Sequence, residues 1–326
     1  MDIMTIIAAA IEKKATDVHL QEHKLPLLRT GMELFPLEGE VAESCDLSSW
    51  LNAYGCNLPV CGELSLAVDL QDGIRCRVNI FPEHAGYHAA LRLLYPLQWL
   101  PPDKDAVILE HISQMKHGLV LITGPTASGK TTTLWRIMEY LNNSRRCHII
   151  TLEDPIEYIL PGKKALISQR ELGKHFLTFQ DGVRQSLRQD PDVLLVGEMR
   201  DGVTMEAALT AAETGHLVFS TLHTNSAAQT ISRIVGAVPA ARQEELRCRL
   251  SMVLQAVLAQ QRFCDDSGTH VAREVLFQTT AVAQLIRTGR EYQLESVLQT
   301  GAAYGMRTME QALALYGKKN YEKVYC

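Results

Sequence analysis

The chain has 326 residues, of which 46% are hydrophobic and 21% are charged. This composition is typical of a globular protein and argues against a disordered or fibrous one, and the length is enough for two domains. The 32 Lys+Arg and 37 Asp+Glu residues give a formal net charge of −5. A basic field over the whole surface, as expected of many nucleic-acid-binding proteins, is therefore excluded, although a local basic groove is not.

The N-terminal part of the chain predicts a small α+β domain over residues 1–97. Apolar residues at helical spacing near the start predict a short amphipathic helix. Further on, the strand-like runs 64–70 and 74–81 flank an Asp-Gly pair, which is typical of a β-hairpin. The segment 98–105 contains two consecutive prolines and is interpreted as a linker.

The sequence also bears on where the protein works. No stretch approaches the roughly 20 consecutive apolar residues of a membrane span. The first residues carry an acid before their apolar part and basic residues after it, which is the wrong polarity for a signal peptide. We therefore expect a cytoplasmic protein. The cysteines form no C-x-x-C pair, which argues against a zinc ribbon.

From residue 106 onward, helical and strand-like segments alternate, and this pattern predicts an α/β domain with a parallel sheet over 106–326. The predicted strands are 118–123, 147–152, 192–196 and 216–221. The predicted helices are 105–116, 130–142, 178–189, 201–214, 225–236 and 240–260. In sheets of this type, ligands bind at the carboxyl ends of the strands, where the polar segments described next are expected to lie.

A phosphate-binding loop, the P-loop (residues 124–131), follows the first of these strands. It fits the pattern G-x-x-x-x-G-K-[ST] between a buried strand and an amphipathic helix, the order that this motif requires. Its main-chain N–H groups would surround phosphate oxygens at a helix N-terminus. Lys130 would reach the β- and γ-phosphates, and the Thr131 hydroxyl would ligate Mg²⁺. The predicted nucleotide contacts are Gly124, Pro125, Thr126, Ala127, Ser128, Gly129, Lys130, Thr131 and Thr132. The sequence thus predicts binding of a nucleoside triphosphate.

Two later strands are predicted to end in acidic segments. Phosphoryl transfer needs one carboxylate near Mg²⁺ and another that orients or deprotonates the attacking water. Glu198 is the first candidate for the water, because its strand is expected to lie beside the P-loop strand. Glu153 is the second candidate, acting through the hydration shell of Mg²⁺. Acids at such positions can instead cap the following helices, an alternative that applies to Asp154 and Asp201.

Another strand is predicted to end in the sequence Thr-Leu-His-Thr, which contains His223. The polar neighbours Thr221 and Thr224 at the carboxyl end of a strand favour His223 as a γ-phosphate sensor or a member of the water network. Packing or helix capping is the alternative. His216 stands at the start of the same strand, so we expect it at the opposite edge of the sheet with a structural role.

Taken in order, these segments resemble the motifs of the type II/IV secretion ATPase superfamily, which powers type II secretion and type IV pili. The P-loop is similar to its Walker A motif, 151–158 to its Asp box, 192–201 to its Walker B motif and 215–224 to its His box. The likeness is greatest to the twitching-motility, or pilus-retraction, branch. It extends to residues 15–20, 77–79, 186–192 and 279–287. Assembly and secretion relatives generally carry a longer N-terminal region and a tetracysteine zinc module, which this sequence does not show.

The resemblance implies a hexameric ring that hydrolyses ATP with Mg²⁺. Each subunit would combine a PAS-like N-terminal domain with a RecA-like P-loop ATPase domain. Arg77 and Arg92 occupy the positions of the family's N-domain arginines, which reach the γ-phosphate. The implied partner is an inner-membrane platform protein of the pilus machine, without direct nucleic-acid binding. Ala127 replaces a usual glycine and is expected to be tolerated, since the pattern does not fix that position.

Three other functions stay open at this point. A pilus-assembly or secretion motor would carry the same catalytic motifs. A nucleotide-gated regulatory scaffold would bind ATP with little turnover, which the acids and His223 argue against. A DNA translocase would need a basic, aromatic-rich loop that the sequence lacks.

Overall fold

The computed structural model describes residues 2–22, 24–31, 33–37, 47–265 and 268–317. The chain divides into two compact units, one ending at Pro101 and the other beginning at Pro102. This boundary falls inside the segment that the sequence predicts as a linker.

The first unit contains, within its described residues, a six-stranded sheet in which neighbouring strands are antiparallel. The strands are β1 (Asp17–Gln21), β2 (Leu27–Thr30), β3 (Glu33–Pro36), β4 (Leu64–Asp69), β5 (Arg75–Glu83) and β6 (Gly86–Leu94). Their order is β3-β2-β1-β6-β5-β4. The described part of this unit also contains the helices α1 (Ile3–Glu12) and α2 (Leu47–Asn52). Both bury apolar side chains in the same core as the sheet, as α+β domains do.

Two local predictions in the first unit are confirmed. The amphipathic N-terminal segment forms α1, which buries Ile3, Ile6 and Ile7. The predicted hairpin forms between β4 and β5, which pair antiparallel. Its turn contains Asp72 at φ 59° and Gly73 at φ 74°. Aspartate and glycine tolerate this left-handed backbone better than other residues, so the Asp-Gly pair is suited to the turn.

The second unit has a seven-stranded sheet across its described residues, in the order β13-β12-β7-β11-β10-β8-β9. The strands are β7 (Gly118–Thr123), β8 (His148–Glu153), β9 (Leu166–Glu171), β10 (Val193–Val196), β11 (Leu217–Leu222), β12 (Leu254–Asp265) and β13 (Gly268–Phe277). All neighbouring strands are parallel except β12 and β13, which form an antiparallel hairpin at one edge. Every residue of β7 and β11 is buried, as expected for central strands of a parallel sheet. The predicted α/β fold with a parallel central sheet is confirmed.

The helices of the second unit are α3 (Ala106–Ser113), α4 (Lys130–Ser144), α5 (Phe179–Ser186), α6 (Gly202–Glu213), α7 (Ala227–Val235), α8 (Gln243–Val253), α9 (Thr280–Arg287), α10 (Leu294–Thr300) and α11 (Met309–Ala314). Among the helices in the described ranges, none has both the length and the apolar character needed to cross a membrane.

Two predictions about this unit are wrong. The helix predicted over 240–260 ends at Val253, and the chain continues as β12 from Leu254. A short apolar run fits a buried helix or a buried strand equally well, and here pairing with β7 selects the strand. The strand that leads to Glu198, β10, does not lie beside the P-loop strand, because β11 lies between β10 and β7.

Candidate functional site

The P-loop joins β7 to α4 at the carboxyl edge of the sheet. Both fixed glycines of the pattern are needed there. Gly124 has φ 148°, and a Cβ at this position would lie 2.3 Å from the carbonyl oxygen of Gln260. Gly129, which caps α4, has φ 86°. These values favour glycine, and Gly124 also has no room for a side chain.

Ala127 also adopts a left-handed backbone, with φ 62°. For an L-residue with a Cβ, this conformation costs roughly 1–2 kcal/mol. The expectation that Ala127 is simply tolerated is therefore incomplete. Ala127 stands in a backbone conformation that glycine would adopt without this strain.

Lys130 is almost fully buried, with 8% of its surface exposed. Its Nζ donates hydrogen bonds to the carbonyl oxygens of Gly124 and Pro125, at 2.7 and 2.9 Å. Burial lowers the pKa of Lys130 to about 8, and nearby Glu198 opposes part of this shift. The ammonium group is thus bonded to carbonyl groups of its own loop, and burial disfavours its charged form. Phosphate oxygens bound nearby would stabilise the charged form.

Glu198 lies between two cationic or potentially cationic side chains. His223 Nε2 lies 3.3 Å from Glu198 Oε1, and Arg200 Nε donates to Glu198 Oε2 at 3.0 Å. Glu198 also interacts electrostatically with Lys130. The structure therefore brings together three residues that the sequence assigned to nucleotide chemistry: Lys130, Glu198 and His223.

Hydrogen bonds between strand ends explain how Glu198 reaches this site although β10 is not adjacent to β7. The hydroxyl of Thr221, at the end of β11, donates to the carbonyl oxygen of Gly197 at 2.7 Å. The Met199 N–H donates to Thr221 O at 3.2 Å, and the Gly124 N–H donates to Leu222 O at 3.3 Å. The end of β11 therefore connects the start of the P-loop to the segment that carries Glu198.

Glu153 ends β8 and is buried, with 6% of its surface exposed. The hydroxyl of Thr151 and the amide of Gln169 donate to its Oε1, at 2.6 and 3.2 Å. Burial raises the pKa of Glu153 to about 7, although these two hydrogen bonds act in the opposite direction. A buried carboxylate with a raised pKa at the carboxyl edge of the sheet is suited to binding a cation or to transferring a proton.

The remaining predicted contacts have the following places. Pro125, Thr126 and Ser128 lie in the loop, and Thr131 and Thr132 lie in the first turn of α4. Of these, Thr126 is exposed, Ser128 is buried and the others are partly buried. Asp201 caps α6 by accepting a hydrogen bond from the Thr204 N–H at 2.8 Å, which is the structural role weighed for it above. His216 lies at the start of β11, and its Nδ1 lies 2.9 Å from Ala211 O, in keeping with a structural role.

Arg77 and Arg92 lie in the first unit, on β5 and β6. They are direct cross-strand partners, so both project from the same face of that sheet. Arg92 is half exposed, and its Nε donates to Asp17 Oδ1 at 2.9 Å. Contact of these two arginines with a γ-phosphate stays a prediction.

Sequence reasoning missed the contribution of the β12–β13 hairpin. Gln260 donates to the Ser128 carbonyl oxygen at 2.7 Å, and Arg273 donates to Thr133 Oγ1 on α4 at 2.9 Å. Glu274 accepts a hydrogen bond from the Ala227 N–H at the start of α7. The sequence does show these polar residues inside apolar runs. They indicate contacts with the P-loop and its helix only once the runs are known to be buried strands.

Comparison with known proteins identifies the family of this chain. Residues 1–297 match the model of the family described as type II/IV secretion system protein, and the chain belongs to that family. The chain is 41% identical over 304 residues to the uncharacterized protein YggR of Escherichia coli (strain K12), covering 91% of this chain and 93% of the relative. It is 39% identical over 306 residues to the type IV pilus retractation ATPase PilT of Pseudomonas aeruginosa (strain PAO1), covering 91% of this chain and 89% of PilT.

Solved structures give the same result. The crystal structure of the pilus retraction motor PilT with bound ADP superimposes with a TM-score of 0.82 at 37% sequence identity, over 97% of this chain and 93% of the other. The ATPase DotB of Legionella pneumophila has the same fold, with a TM-score of 0.81 at 24% identity. The predicted family and fold class are therefore confirmed.

Proposed function

We propose that this chain is the ATP-hydrolysing subunit of a hexameric ring motor that drives type IV pilus retraction. The observation that carries the proposal is the arrangement of the buried Lys130 ammonium inside the P-loop and Glu198, paired with His223, beside it. The likeness to the retraction motor PilT over nearly the whole chain supports the choice among related motors.

The chemistry follows from these positions. The β- and γ-phosphates would replace the carbonyl groups as partners of Lys130, and main-chain N–H groups of the P-loop would hold their oxygens. Glu198 would accept the proton of a water molecule whose oxygen attacks the γ-phosphorus. The bond between that phosphorus and the bridging oxygen then breaks, which gives ADP and phosphate. His223, 3.3 Å from the same carboxylate, would orient it toward the water.

Mg²⁺ is the expected cofactor of this reaction. Among the described residues, no group of three or more His, Cys, Asp or Glu side chains could hold a metal ion. Mg²⁺ prefers phosphate oxygens, water and one or two protein oxygens. Thr131 and, through water, Glu153 offer oxygen donors of the right type. The bound ion would supply charge neutralisation at the phosphates.

The other parts of the proposed motor are expected from the resemblance to the family. Arg77 and Arg92 would contribute guanidinium groups to the γ-phosphate, which suits charge spread over a transferring phosphoryl group. Force would pass to an inner-membrane platform protein of the pilus machine, so the ring would work in the cytoplasm at that membrane. The chain would bind no nucleic acid directly.

The catalytic assignment is tested by Glu198→Gln, with Asp201→Asn as the matched control. We expect Glu198→Gln to lower kcat at least about 100-fold while MgADP still binds, because a general base typically contributes this much. Asp201→Asn alters a helix-capping acid only three residues away and should keep most of the activity. Lys130→Ala should lose both binding and turnover. A Lys130→Ala protein that hydrolyses ATP as fast as the parent would contradict the mechanism.

The direction of force is tested in cells that carry this gene. A deletion strain with excess surface pili and no twitching would support retraction, whereas loss of pili would indicate an assembly or secretion motor. A strain carrying Glu198→Gln should reproduce the deletion. Normal twitching in that strain would instead indicate a regulatory scaffold that needs no turnover, and stimulation of the ATPase by DNA would indicate a translocase.

A further inference from the structure

The edge hairpin β12–β13 contributes a residue that contacts the P-loop at two places. β12 runs parallel to β7, with Ala259 opposite Thr123, so the next residue, Gln260, stands beside Gly124. The carbonyl oxygen of Gln260 packs so closely on Gly124 that only glycine fits there. Its side-chain amide donates to the Ser128 carbonyl oxygen at 2.7 Å. Gln260 itself is fully buried.

The bond to Ser128 has a consequence for phosphate binding. The peptide group between Ser128 and Gly129 is trans, so its C=O and its N–H point in opposite directions. When Gln260 holds the carbonyl oxygen toward β12, the Gly129 N–H is turned away from β12. An N–H group in that position is a donor for a phosphate oxygen at the N-terminus of α4.

We propose that Gln260 is a positioning residue of the nucleotide site, which fixes the Ser128–Gly129 peptide so that its N–H faces the phosphates. This inference rests on the proposed function, since it needs a phosphate in the loop. Gln260 does not contact the phosphates in this scheme and acts through the peptide group.

The energetics of Gln260 favour positioning over simple stabilisation. Its Oε1 is buried and has no hydrogen-bond partner within the described residues. An unpaired buried acceptor is unfavourable, and an apolar side chain of similar length would avoid it. Gln260 is also the direct cross-strand partner of Arg273, which holds Thr133 on α4. The same face of the hairpin therefore holds both the loop and the helix that follows it.

The chain offers a matched control in Gln278. Its side-chain amide donates to the Ser251 carbonyl oxygen at 2.6 Å, and its Oε1 also lacks a partner in the part of the chain that is described. The Gln278 N–H donates to Gln255 O near the start of β12, so this residue lies at the edge of the sheet opposite to the P-loop. Methionine at either position keeps the length of the side chain and removes the amide donor.

The experiment compares the parental chain, Gln260→Met and Gln278→Met by calorimetric titration with MgADP, ATPase kinetics and thermal unfolding. We expect Gln260→Met to raise the Kd for MgADP and the KM for ATP about tenfold, with kcat changed less than about threefold. A contact that acts equally on bound substrate and transition state alters KM rather than kcat. Gln278→Met should leave Kd and KM within about twofold of the parent, while the melting temperature changes little, and to a similar extent, in both variants.

The outcomes separate the inference from the function on which it rests. A parental chain that does not bind MgADP would overturn the proposed function. A parent that binds, together with a Gln260→Met protein of equal affinity, or equal weakening in both variants, would overturn the inference alone. If Gln260→Met does not fold, Gln260→Glu replaces it, because glutamate keeps the shape without the N–H donor. It should weaken MgADP binding at least about tenfold, and unchanged affinity would again overturn the inference.

Discussion

Ala127 gives a prediction with an unusual sign, since substitution by glycine should stabilise the protein. Its φ of 62° costs an L-residue roughly 1–2 kcal/mol, and glycine is free of this cost. Glycine gains about 0.4–1 kcal/mol of additional entropy in the unfolded chain, which acts in the opposite direction. Ala127 is exposed, so its methyl group adds little burial. We therefore expect Ala127→Gly to raise the free energy of unfolding by about 0.5–1 kcal/mol.

The assay is urea and thermal unfolding of the nucleotide-free protein, followed by circular dichroism. A gain of this size corresponds to a rise in melting temperature of about 1–4 °C for a domain of 150–250 residues. Ala283→Gly is the control, because Ala283 lies inside α9, where the same substitution costs about 0.5–1 kcal/mol. If Ala127→Gly is neutral or destabilising while Ala283→Gly shows the expected loss, the reasoning from the left-handed backbone is refuted.

The lowered pKa of Lys130 predicts proton uptake on nucleotide binding, because phosphates favour the ammonium form. Titration with MgADP at pH 8.5 in two buffers of different ionisation enthalpy should show roughly half a proton or more taken up, and proton release would contradict this. Burial raises the pKa of Glu153 in the folded state from 4.5 to about 7. The free energy of unfolding should therefore fall as the pH rises from about 4.5 to about 7. Glu153→Gln should remove this pH-dependent loss of stability. Relative to the parent, the free energy of unfolding of the variant should rise by up to about 3 kcal/mol at pH 8 and change little at pH 4.5. Equal effects at both pH values would contradict a raised pKa of Glu153. Arg273→Met should cost about 3–5 kcal/mol in urea unfolding and Thr133→Val only about 1 kcal/mol, because the first leaves buried carboxylates short of a partner; equal losses would argue against the network.

Much of the second unit could be predicted because its central strands are continuous apolar runs between glycine-containing turns. The predicted strand 118–123 agrees with β7 to the residue, and the P-loop motif adds its own strand–loop–helix context. The helix predicted over 201–214 ends at Glu213, followed by Gly215 at φ 99°. Local patterns of this kind are set by residues close in sequence, so a single sequence contains them.

The errors concern contacts between residues far apart in the chain. The order of β7, β11 and β10 depends on how crossover helices pack, and no local pattern records it. Leu254 begins a strand because β7 and β13 flank it in the folded state, although its own apolar run is equally compatible with a helix. The role of Gln260 depends on the same pairing and was missed for the same reason.

The edge hairpin β12–β13 also holds the first residues of the second unit. Side chains alternate between the faces of a strand, so Arg273 and its neighbour Glu274 point to opposite sides of the sheet. Arg273 is buried and donates to Asp103, Asp105 and Thr133. Asp103 and Asp105 belong to the predicted linker, yet they are joined through Arg273 to the helix that begins with Lys130. The chain from Asp103 onward is therefore held within the second unit, by hydrogen bonds that pass through Arg273 to α4.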